Sequence, residues 1–552
     1  MADHLDVVAV ATGHEGAVVC HRRARREDGF TARSPRLTLA KRTAHPPPRC
    51  AGSETIMRRR TFCAAGLAAL AASSLPLRRV VAAGAEIGAL GLDGRPVTLT
   101  AADVADLRAG LRGELLTAGD AGYDDARRLW NAAFDRKPAL IARCAGAADV
   151  MRAVSFASAH GVLTSVRGGG HSLSGQSVCD GGLEIDLAPM RSVHIDPTTK
   201  LARAEPGVLL GQFDREAQAF GLATTAGTAS DTGLAGLTLG GGFGRIGPKY
   251  GLTIDNLTGT EVVTADGRLL RADAHENPDL FWGLRGGGGN FGVVTSFEYR
   301  LHPVGPMLYG GEITFPFAGS RQLMRSFVDY MAGAPDELCV LPEFDIDAKD
   351  GPSLGFDVCY CGAPADGERV LAPLRALGKP VADKLGPATY VKLQGAANPV
   401  KPFPYGAYFK GGLARALTPS LIDATIDYIE ATPVPVGFAF IGFQPLGAAA
   451  NRVAPDATAF WNRHARYDMV VGSFWKVPGE GAERNTEWSR AAWAKLEPYT
   501  EGYYVNLGES QQDVHAHRVQ TAYGDNYARL VALKKRYDPA NLFRLNANIK
   551  PA

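Results

Sequence analysis

The sequence predicts an α+β protein with a glycine-rich first half and a second half built on an antiparallel sheet. Glycine-dense stretches at 168–175, 233–244 and 286–292 each adjoin a short β-like run. The sequence pattern changes at 302–306, where the chain has the sequence His-Pro-Val-Gly-Pro. In the following region, 310–500, β-like runs alternate with amphipathic helices, an order typical of α+β folds.

The composition of the 552-residue chain is that of a globular protein. It is 46% hydrophobic and 21% charged, which excludes a mainly disordered chain. The 65 glycines follow no three-residue period, so a collagen-like fibre is excluded too. No apolar run is long enough to predict a membrane span. The net charge of +2 conceals a basic leader and a mildly acidic body, so we expect no nucleic-acid partner.

The pattern of the first 85 residues predicts a targeting segment rather than a folded element. Residues 1–56 are rich in Arg and Pro without apolar periodicity, and we expect them to be disordered or to lie upstream of the true start. Residues 57–85 place Arg59 and Arg60 before a weakly hydrophobic Ala/Leu run, which resembles a twin-arginine export signal ending at an A-x-A site. We therefore expect export to the periplasm or the exterior. The alternative is a basic helix that stays attached to a cytoplasmic protein.

Periodicity and turn signals predict the elements of the first half. Residues 101–160 are expected to be mostly helical, with Val150, Val154 and Phe156 near one face. Ala265-Asp266-Gly267 is a hairpin signal between two apolar runs. The other predicted elements are strands at 163–166, 182–187, 192–196, 200–205, 260–264 and 268–272, and a helix at 208–220.

Periodicity and turn signals also predict the elements of the second half and the tail. The tail is expected to form a helix at 526–537 that ends at Asp538-Pro539 and continues as an extended segment. The predicted domains are 86–305, 306–505 and a C-terminal segment, 506–552. The elements expected in the second domain are helices at 320–332, 419–431 and 485–496 and strands at 354–360, 436–443 and 469–474.

The three glycine-dense stretches predict a cofactor site. Glycine lets the backbone approach a ligand closely and turns N–H groups inward as anion-binding nests. Three such loops in one domain, each next to a strand, indicate a long phosphate-bearing cofactor lying across a sheet edge. The alternative is three glycine-rich turns in a loop-heavy protein.

One segment imitates a dinucleotide-binding fingerprint. Gly242-Phe-Gly-Arg-Ile-Gly matches GxGxxG, and Asp266 lies about 20 residues further on. A Rossmann site requires a helix that begins inside the glycines. Pro248 and Gly251 follow at once without a helical pattern, so we do not expect a nicotinamide enzyme of that type.

The cysteines predict neither a metal site nor a disulfide framework. Three of the eight lie in the leader. The other five have no zinc-type spacing, and their odd number argues against complete pairing. These five are Cys144, Cys179, Cys339, Cys359 and Cys361.

His171 is the candidate reactive side chain of the first glycine stretch. A lone histidine is more often solvated or packed. A histidine in a backbone-rich turn, however, can be held against a flat ring system as a base, an anion donor or a covalent cofactor anchor.

Four motifs agree in order and spacing with one known family. They are Arg167-Gly-Gly-Gly-His-Ser-Leu-Ser-Gly, Gly240-Gly-Gly-Phe-Gly, Asp279-Leu-Phe-Trp-Gly-Leu-Arg-Gly-Gly-Gly-Gly-Asn-Phe-Gly and Tyr537-Asp-Pro-Ala-Asn-Leu-Phe-Arg-Leu-Asn-Ala-Asn-Ile. Together they resemble the berberine-bridge-enzyme-like FAD-linked oxidases of the vanillyl-alcohol-oxidase superfamily. The resemblance covers roughly 120–552. It implies a two-subdomain, PCMH-type FAD-binding domain, an α+β substrate domain and a C-terminal segment that returns to the FAD domain.

The resemblance also implies how FAD is held. His171 matches the histidine that bonds to the flavin 8α carbon, and Ala229 stands where bicovalent members carry a cysteine, so we expect a single covalent link. Thr232 matches the residue that guards oxygen access, and Val263 is expected near the adenine. The cofactor-binding residues implied by position are Arg167, Gly168, Gly169, Gly170, His171, Ser172, Thr232, Gly233, Gly236, Gly240, Gly241, Gly242, Gly244, Val263, Asn290, Phe291, Asn546 and Asn548.

The catalytic base is less clearly marked. Alcohol oxidation by a flavin requires a base to take the hydroxyl proton as hydride leaves. The family's usual tyrosine after the asparagine of a Tyr-x-Asn-Tyr strand is replaced here by Leu507. Asp468 matches a carboxylate or amide position of the family and is the leading candidate base, followed by Tyr504 and Tyr467. The alternative for Asp468 is a strand-edge carboxylate paired with Arg463 or Arg466.

These residues imply an FAD-dependent oxidoreductase acting on a small hydroxyl-bearing molecule, either a sugar or a secondary metabolite. Hydride would pass to flavin N5, and molecular oxygen would reoxidise the flavin to give hydrogen peroxide. One alternative is a dehydrogenase of the same fold with a quinone or carrier as electron acceptor. The other is a non-catalytic flavin-binding protein.

Overall fold

Three β-sheets organise the chain, which the computed structural model describes over residues 86–396, 405–434, 436–507 and 516–552. These residues belong to one compact unit. The predicted leader at 1–56 and the predicted export signal at 57–85 lie outside the described residues. No helix among the described residues is long and apolar enough to cross a membrane.

The smallest of the three sheets leads into the first glycine stretch. Its strand order is Glu114–Leu116, Leu140–Arg143, Leu183–Asp186 and Thr164–Arg167. The last three strands are parallel, and the first is antiparallel to its neighbour. Helix Ala147–His160 buries Val150, Val154 and Phe156 in the core beside this sheet. Parallel strands end at one edge of a sheet, and the first glycine stretch begins at that edge.

A five-stranded antiparallel sheet follows. Its core lies between the strands of this sheet and a set of helices, some of which come from the second glycine stretch and the tail. The predicted hairpin at 265–267 is confirmed, because Thr264 N–H donates to Arg268 O at 3.0 Å. The strand order is Leu269–Asp273, Leu257–Val263, Val293–Arg300, Leu201–Ala204 and Val193–Asp196. The helices are Leu210–Gln218, Leu234–Gly240, Pro278–Leu284, Ala516–Tyr523 and Tyr527–Tyr537.

The second half forms a large antiparallel sheet, as predicted. Its helices cover one face, where the biggest core cluster lies. The opposite face packs against the first half through Phe409, Phe474, Trp130 and Leu173. The strand order is Ala382–Asp383, Met307–Pro316, Gly351–Tyr360, Leu338–Asp347, Phe438–Pro445, Tyr467–Lys476 and Tyr405–Ala414, and Gly386–Thr389 also pairs with Met307–Pro316. The covering helices are Ser320–Ala332, Gly367–Arg375, Pro419–Ala431 and Ala482–Leu496.

The prediction of mostly helix over 101–160 is wrong in its middle part. Helix Ala101–Gly110 ends, two strands follow, and the short helix Tyr123–Arg127 lies between them. Residues 128–139 are irregular because their backbone and side chains bind the first glycine stretch and the large sheet instead of one another. The remaining short elements are Ile87–Leu90 with Pro96–Leu99, Leu222–Ala223 with His302–Pro303, and helices Gly247–Tyr250, Tyr390–Gln394 and Ala448–Asn451.

Candidate functional site

A cavity of about 400 Å³ opens beside the carboxyl edge of the four-stranded sheet. Its volume is in the range of small-molecule and cofactor sites. The wall is built from the three glycine stretches, residues 504–507 and tail residues 543–547. The predicted site residues on this wall are Gly168, Gly169, Gly170, His171, Ser172, Thr232, Gly233, Gly236, Tyr504 and Asn546.

Two kinds of glycine shape this wall. A Cβ on Gly169 would collide with the backbone of Gly233, so the first two glycine stretches touch backbone to backbone. A Cβ on Gly236 or Gly289 would meet no atom within 4 Å. Because both of these residues line the cavity, their missing side chains leave space open to a ligand.

Polar atoms on the wall lack protein partners. Ser177 Oγ and Asn546 Oδ1 are buried, line the cavity and form no hydrogen bond with any residue that the structure describes. Buried polar atoms are normally paired in native proteins. A polar ligand in the cavity would satisfy both, so this wall fits a cofactor with hydroxyl and phosphate groups.

His171 stands between an indole ring and a carboxylate. Trp130 stacks on the imidazole with the ring centroids 4.5 Å apart. The Trp130 indole N–H donates to Asp231 Oδ2 at 3.1 Å, and Asp231 Oδ1 lies 3.7 Å from His171 Nε2. Sequence reasoning did not single out Trp130 or Asp231. No local pattern links these two residues, because they lie 101 residues apart in the chain.

Residues 128–131 also hold the first glycine stretch from outside. The Arg167 guanidinium donates to Arg128 O at 2.9 Å, and Trp130 N–H donates to Gly170 O at 2.9 Å. The Asn131 amide donates to Leu173 O and, across to the large sheet, to Ala407 O. Arg167, predicted to contact the cofactor, therefore supports the loop and does not line the cavity.

The four glycines of the run 240–244 do not line the cavity, although Phe243 between them does. A Cβ on Gly240 would collide with the Asn506 amide, and one on Gly241 would crowd Phe460. The other two predicted residues of the run, Gly242 and Gly244, pack tightly against Thr253 and Gly227 in the same way. These glycines allow close packing of protein against protein, and none of the four lines the cavity.

Asn290 fastens the tail to the third glycine stretch. Its side-chain N–H₂ donates to Ala547 O at 3.1 Å, and its Oδ1 accepts the Ile549 N–H at 3.0 Å. Asn548 is off the wall and its Oδ1 has no partner among the described residues. Phe291 and Val263 are fully buried in core clusters, with Val263 paired in register with Val293 of the wall.

Tyr504 is the candidate base that reaches the cavity. Its hydroxyl oxygen accepts hydrogen bonds from Asn506 Nδ2 at 2.7 Å and from Gly242 N–H at 3.2 Å. Its ring packs on Phe243, with the centroids 4.2 Å apart. Burial raises the pKa of the Tyr504 phenol, and the two hydrogen bonds partly oppose that shift.

Asp468 lies next to the wall but does not line the cavity. It is fully buried, and neither carboxylate oxygen has a hydrogen-bond partner among the described residues. Burial raises the pKa of Asp468 well above its usual range, which favours the protonated form of the carboxyl. Its register partner Gln444 does line the cavity. Of the two arginines considered as ion partners, Arg463 is engaged by Asp255 at 2.7 Å.

Tyr467 does not reach the cavity. Successive strand residues point to opposite faces of a sheet, and Tyr467 packs against the core between the large sheet and its helices. We therefore do not keep Tyr467 as a candidate base.

Comparison with known proteins identifies this site. Residues 138–273 match a family model described as an FAD binding domain, and residues 503–550 match one described as berberine and berberine like. The chain is 33% identical over 454 residues to (R)-6-hydroxynicotine oxidase from Paenarthrobacter nicotinovorans, covering 80% of this chain and 97% of that protein. The chain belongs to the berberine-bridge-enzyme-like family of FAD-linked oxidases.

Further matches support the family and the fold. Chitooligosaccharide oxidase from Gibberella zeae is 30% identical over 461 residues, which is 78% of this chain and 91% of that protein. The crystal structure of 6-hydroxy-D-nicotine oxidase from Arthrobacter nicotinovorans superposes with a TM-score of 0.73 at 31% identity, covering 80% of this chain and 98% of that one. This berberine-bridge-enzyme-like protein is thus an FAD-linked oxidoreductase.

Proposed function

We propose that this protein carries FAD on a single covalent bond to His171 and oxidises a hydroxyl-bearing small molecule with molecular oxygen as electron acceptor. The observation that carries the proposal is the position of His171 on the glycine-lined wall of the cavity. When bound, FAD supplies the hydride acceptor and the route of electrons to oxygen.

The chemistry of the wall supports one link rather than two. Ala229 lines the cavity at the position of the second attachment residue in bicovalent relatives. None of the cysteines in the described part of the chain lines the cavity, and all five are buried. A thioether to the flavin therefore has no thiol to form from.

The link is tested by acid precipitation of the purified protein and by the visible spectrum of pellet and supernatant. We expect the wild-type pellet to retain the yellow colour and the His171→Ala pellet to lose it. His194→Ala, which changes an exposed histidine on the five-stranded sheet, is the matched control and should retain it. Flavin in the wild-type supernatant would contradict the link.

Tyr504 is the base that the geometry favours. Tyr504 lines the cavity, and its hydroxyl accepts two N–H hydrogen bonds, which stabilise the phenolate that takes the substrate proton. Asp468 remains the second candidate, because burial disfavours its charged form and it lies beside Gln444 without lining the cavity. A larger loss of kcat in Asp468→Asn than in Tyr504→Phe would reverse this order.

The substrate end of the cavity favours a ring-bearing alcohol over a polar oligosaccharide. Leu173 and Leu507 line the cavity and pack on an aromatic cluster of the large sheet, which includes Phe409, Phe440 and Phe474. Apolar walls with few polar groups select apolar rings. Aromatic alcohols, chitooligosaccharides and cyclic amines such as hydroxynicotine would each be tested as substrates by measuring the hydrogen peroxide produced. The result would separate these three substrate classes. Turnover of oligosaccharides alone would contradict our choice.

The electron acceptor is tested by the products of turnover. Substrate-dependent peroxide would support the oxidase, whereas turnover only with a quinone dye would favour the dehydrogenase alternative.

We also propose export through the twin-arginine-like leader. Conversion of Arg59 and Arg60 to Lys should keep the protein in the cytoplasmic fraction, and unchanged export would contradict this.

A further inference from the structure

Asp231 is placed to act on His171. It is 7% exposed and immediately precedes Thr232, which lines the cavity. Its Oδ2 accepts the Trp130 indole N–H, and its Oδ1 lies 3.7 Å from His171 Nε2. Among the residues that the structure describes, none donates a hydrogen bond to Oδ1. Buried carboxylate oxygens normally accept hydrogen bonds, so Asp231 Oδ1 can accept one from the His171 imidazole.

Trp130 confines the imidazole from the other side. The two rings stack with an angle of 28° between their planes. The Trp130 main-chain N–H is bonded to Gly170 O, the carbonyl immediately before His171. The histidine ring is therefore held between an aromatic face and a carboxylate, an arrangement that fixes the orientation and tautomer of a histidine.

We propose that Asp231 is a positioning residue for the attachment of FAD to His171, an inference that rests on the function proposed above. A carboxylate beside Nε2 keeps the ring proton on that nitrogen and leaves the lone pair on Nδ1. Shortening the 3.7 Å separation to hydrogen-bond length requires a shift of about 0.5 Å. Trp130 holds Asp231 in place through the second carboxylate oxygen.

Attachment of FAD to His171 would form one C–N bond, break one C–H bond and reduce the flavin by two electrons. The bond between His171 Nδ1 and the 8α carbon forms while one 8α C–H bond breaks and its proton leaves to solvent. The Nε2 proton passes to the Asp231 carboxylate, which keeps the imidazole neutral. The electron pair of the broken C–H bond stays on the isoalloxazine ring, and molecular oxygen removes it to give hydrogen peroxide.

The test measures the rate of attachment rather than catalytic activity. Wild type, Asp231→Asn and Asp231→Glu are produced under riboflavin limitation and mixed with FAD in air. Samples are acid-precipitated at intervals, and flavin is measured in pellet and supernatant. We expect Asp231→Asn to attach FAD about 10-fold to 100-fold more slowly. Asp231→Glu should recover much of the rate, because it restores the carboxylate.

Two further variants separate the possible outcomes. Asp329→Asn removes an exposed carboxylate on helix Ser320–Ala332 and should attach FAD at the wild-type rate. Trp130→Phe keeps an aromatic ring but lacks the N–H that holds Asp231, so intermediate slowing is expected even if Asp231→Asn does not fold. Attachment at the wild-type rate in both Asp231→Asn and Trp130→Phe would overturn the inference. Absence of retained flavin in wild type would instead overturn the His171 link itself.

Discussion

The Lys534 ammonium donates a hydrogen bond to the main-chain carbonyl of Asn290 at 2.8 Å, and both residues are fully buried. The same ammonium bonds Asp538 at 2.7 Å and Phe543 O at 2.8 Å. One buried cation thus joins helix Tyr527–Tyr537, the third glycine stretch and the tail that lines the cavity. Its burial lowers the pKa of Lys534, but the paired Asp538 carboxylate opposes that shift.

Lys534→Met should strongly destabilise the protein. It removes three hydrogen bonds and leaves the Asp538 carboxylate buried without its cation, so we expect a loss of about 3–5 kcal/mol in the free energy of unfolding. Urea unfolding followed by fluorescence measures the loss. Lys535→Met, at the exposed next position, is the control and should stay near wild type. A loss below about 1 kcal/mol for Lys534→Met would contradict the role of this network.

Asp214→Asn should remove part of the pH dependence of stability. Asp214 is fully buried and accepts a hydrogen bond from Gln394, and burial raises the pKa of its carboxyl to about 7. A carboxyl with a raised folded-state pKa stabilises the fold below its unfolded pKa, and that stability is lost as pH rises through the folded value. Between pH 4 and 7, wild type should therefore lose a few kcal/mol relative to Asp214→Asn.

The measurement is the urea midpoint of both proteins at several pH values. Asparagine can still accept the Gln394 hydrogen bond, so the variant isolates the titration. Parallel pH profiles for the two proteins would show that Asp214 does not titrate in this range.

Gly236→Val and Gly289→Val should fold normally but fail to hold FAD. A Cβ at either position meets no protein atom within 4 Å, yet both residues line the cavity, so the new side chain occupies ligand space. The flavin-to-protein absorbance ratio and the thermal midpoint of the flavin-free protein measure the two effects. Gly88→Val, at an equally open but distant strand position, is the control. Full flavin content in both cavity variants would place the cofactor elsewhere.

Tyr504→Phe should lower kcat by about 10²-fold to 10⁴-fold without loss of bound FAD. Because burial raises the pKa of Tyr504, wild-type kcat should increase as the pH rises above neutral. That alkaline increase should vanish in the variant. Tyr503→Phe changes the neighbouring tyrosine, which packs in the core of the five-stranded sheet, and serves as the control. An unchanged pH profile in Tyr504→Phe would assign the base to another residue.

Sequence reasoning predicted many residues of the glycine-lined cavity through local features. His171, Gly169 and Gly233 were identified because glycine and its immediate neighbours determine which backbone conformations a loop can adopt. The strand and helix periods likewise predicted the large antiparallel sheet and most of its helices, since those periods depend on side chains a few residues apart. Residues 128–139 escaped prediction because their partners lie in other parts of the chain.

The sequence by itself determined that the chain has three glycine loops, one histidine within them and Ala229 where a second attachment residue would stand. Only the tertiary structure decided which side chains meet. Trp130 and Asp231, 101 residues apart, converge on His171, and Tyr504 reaches the cavity while Asp468 does not. Local preferences follow from neighbours along the chain, whereas these contacts depend on how the sheets and the returning tail pack together.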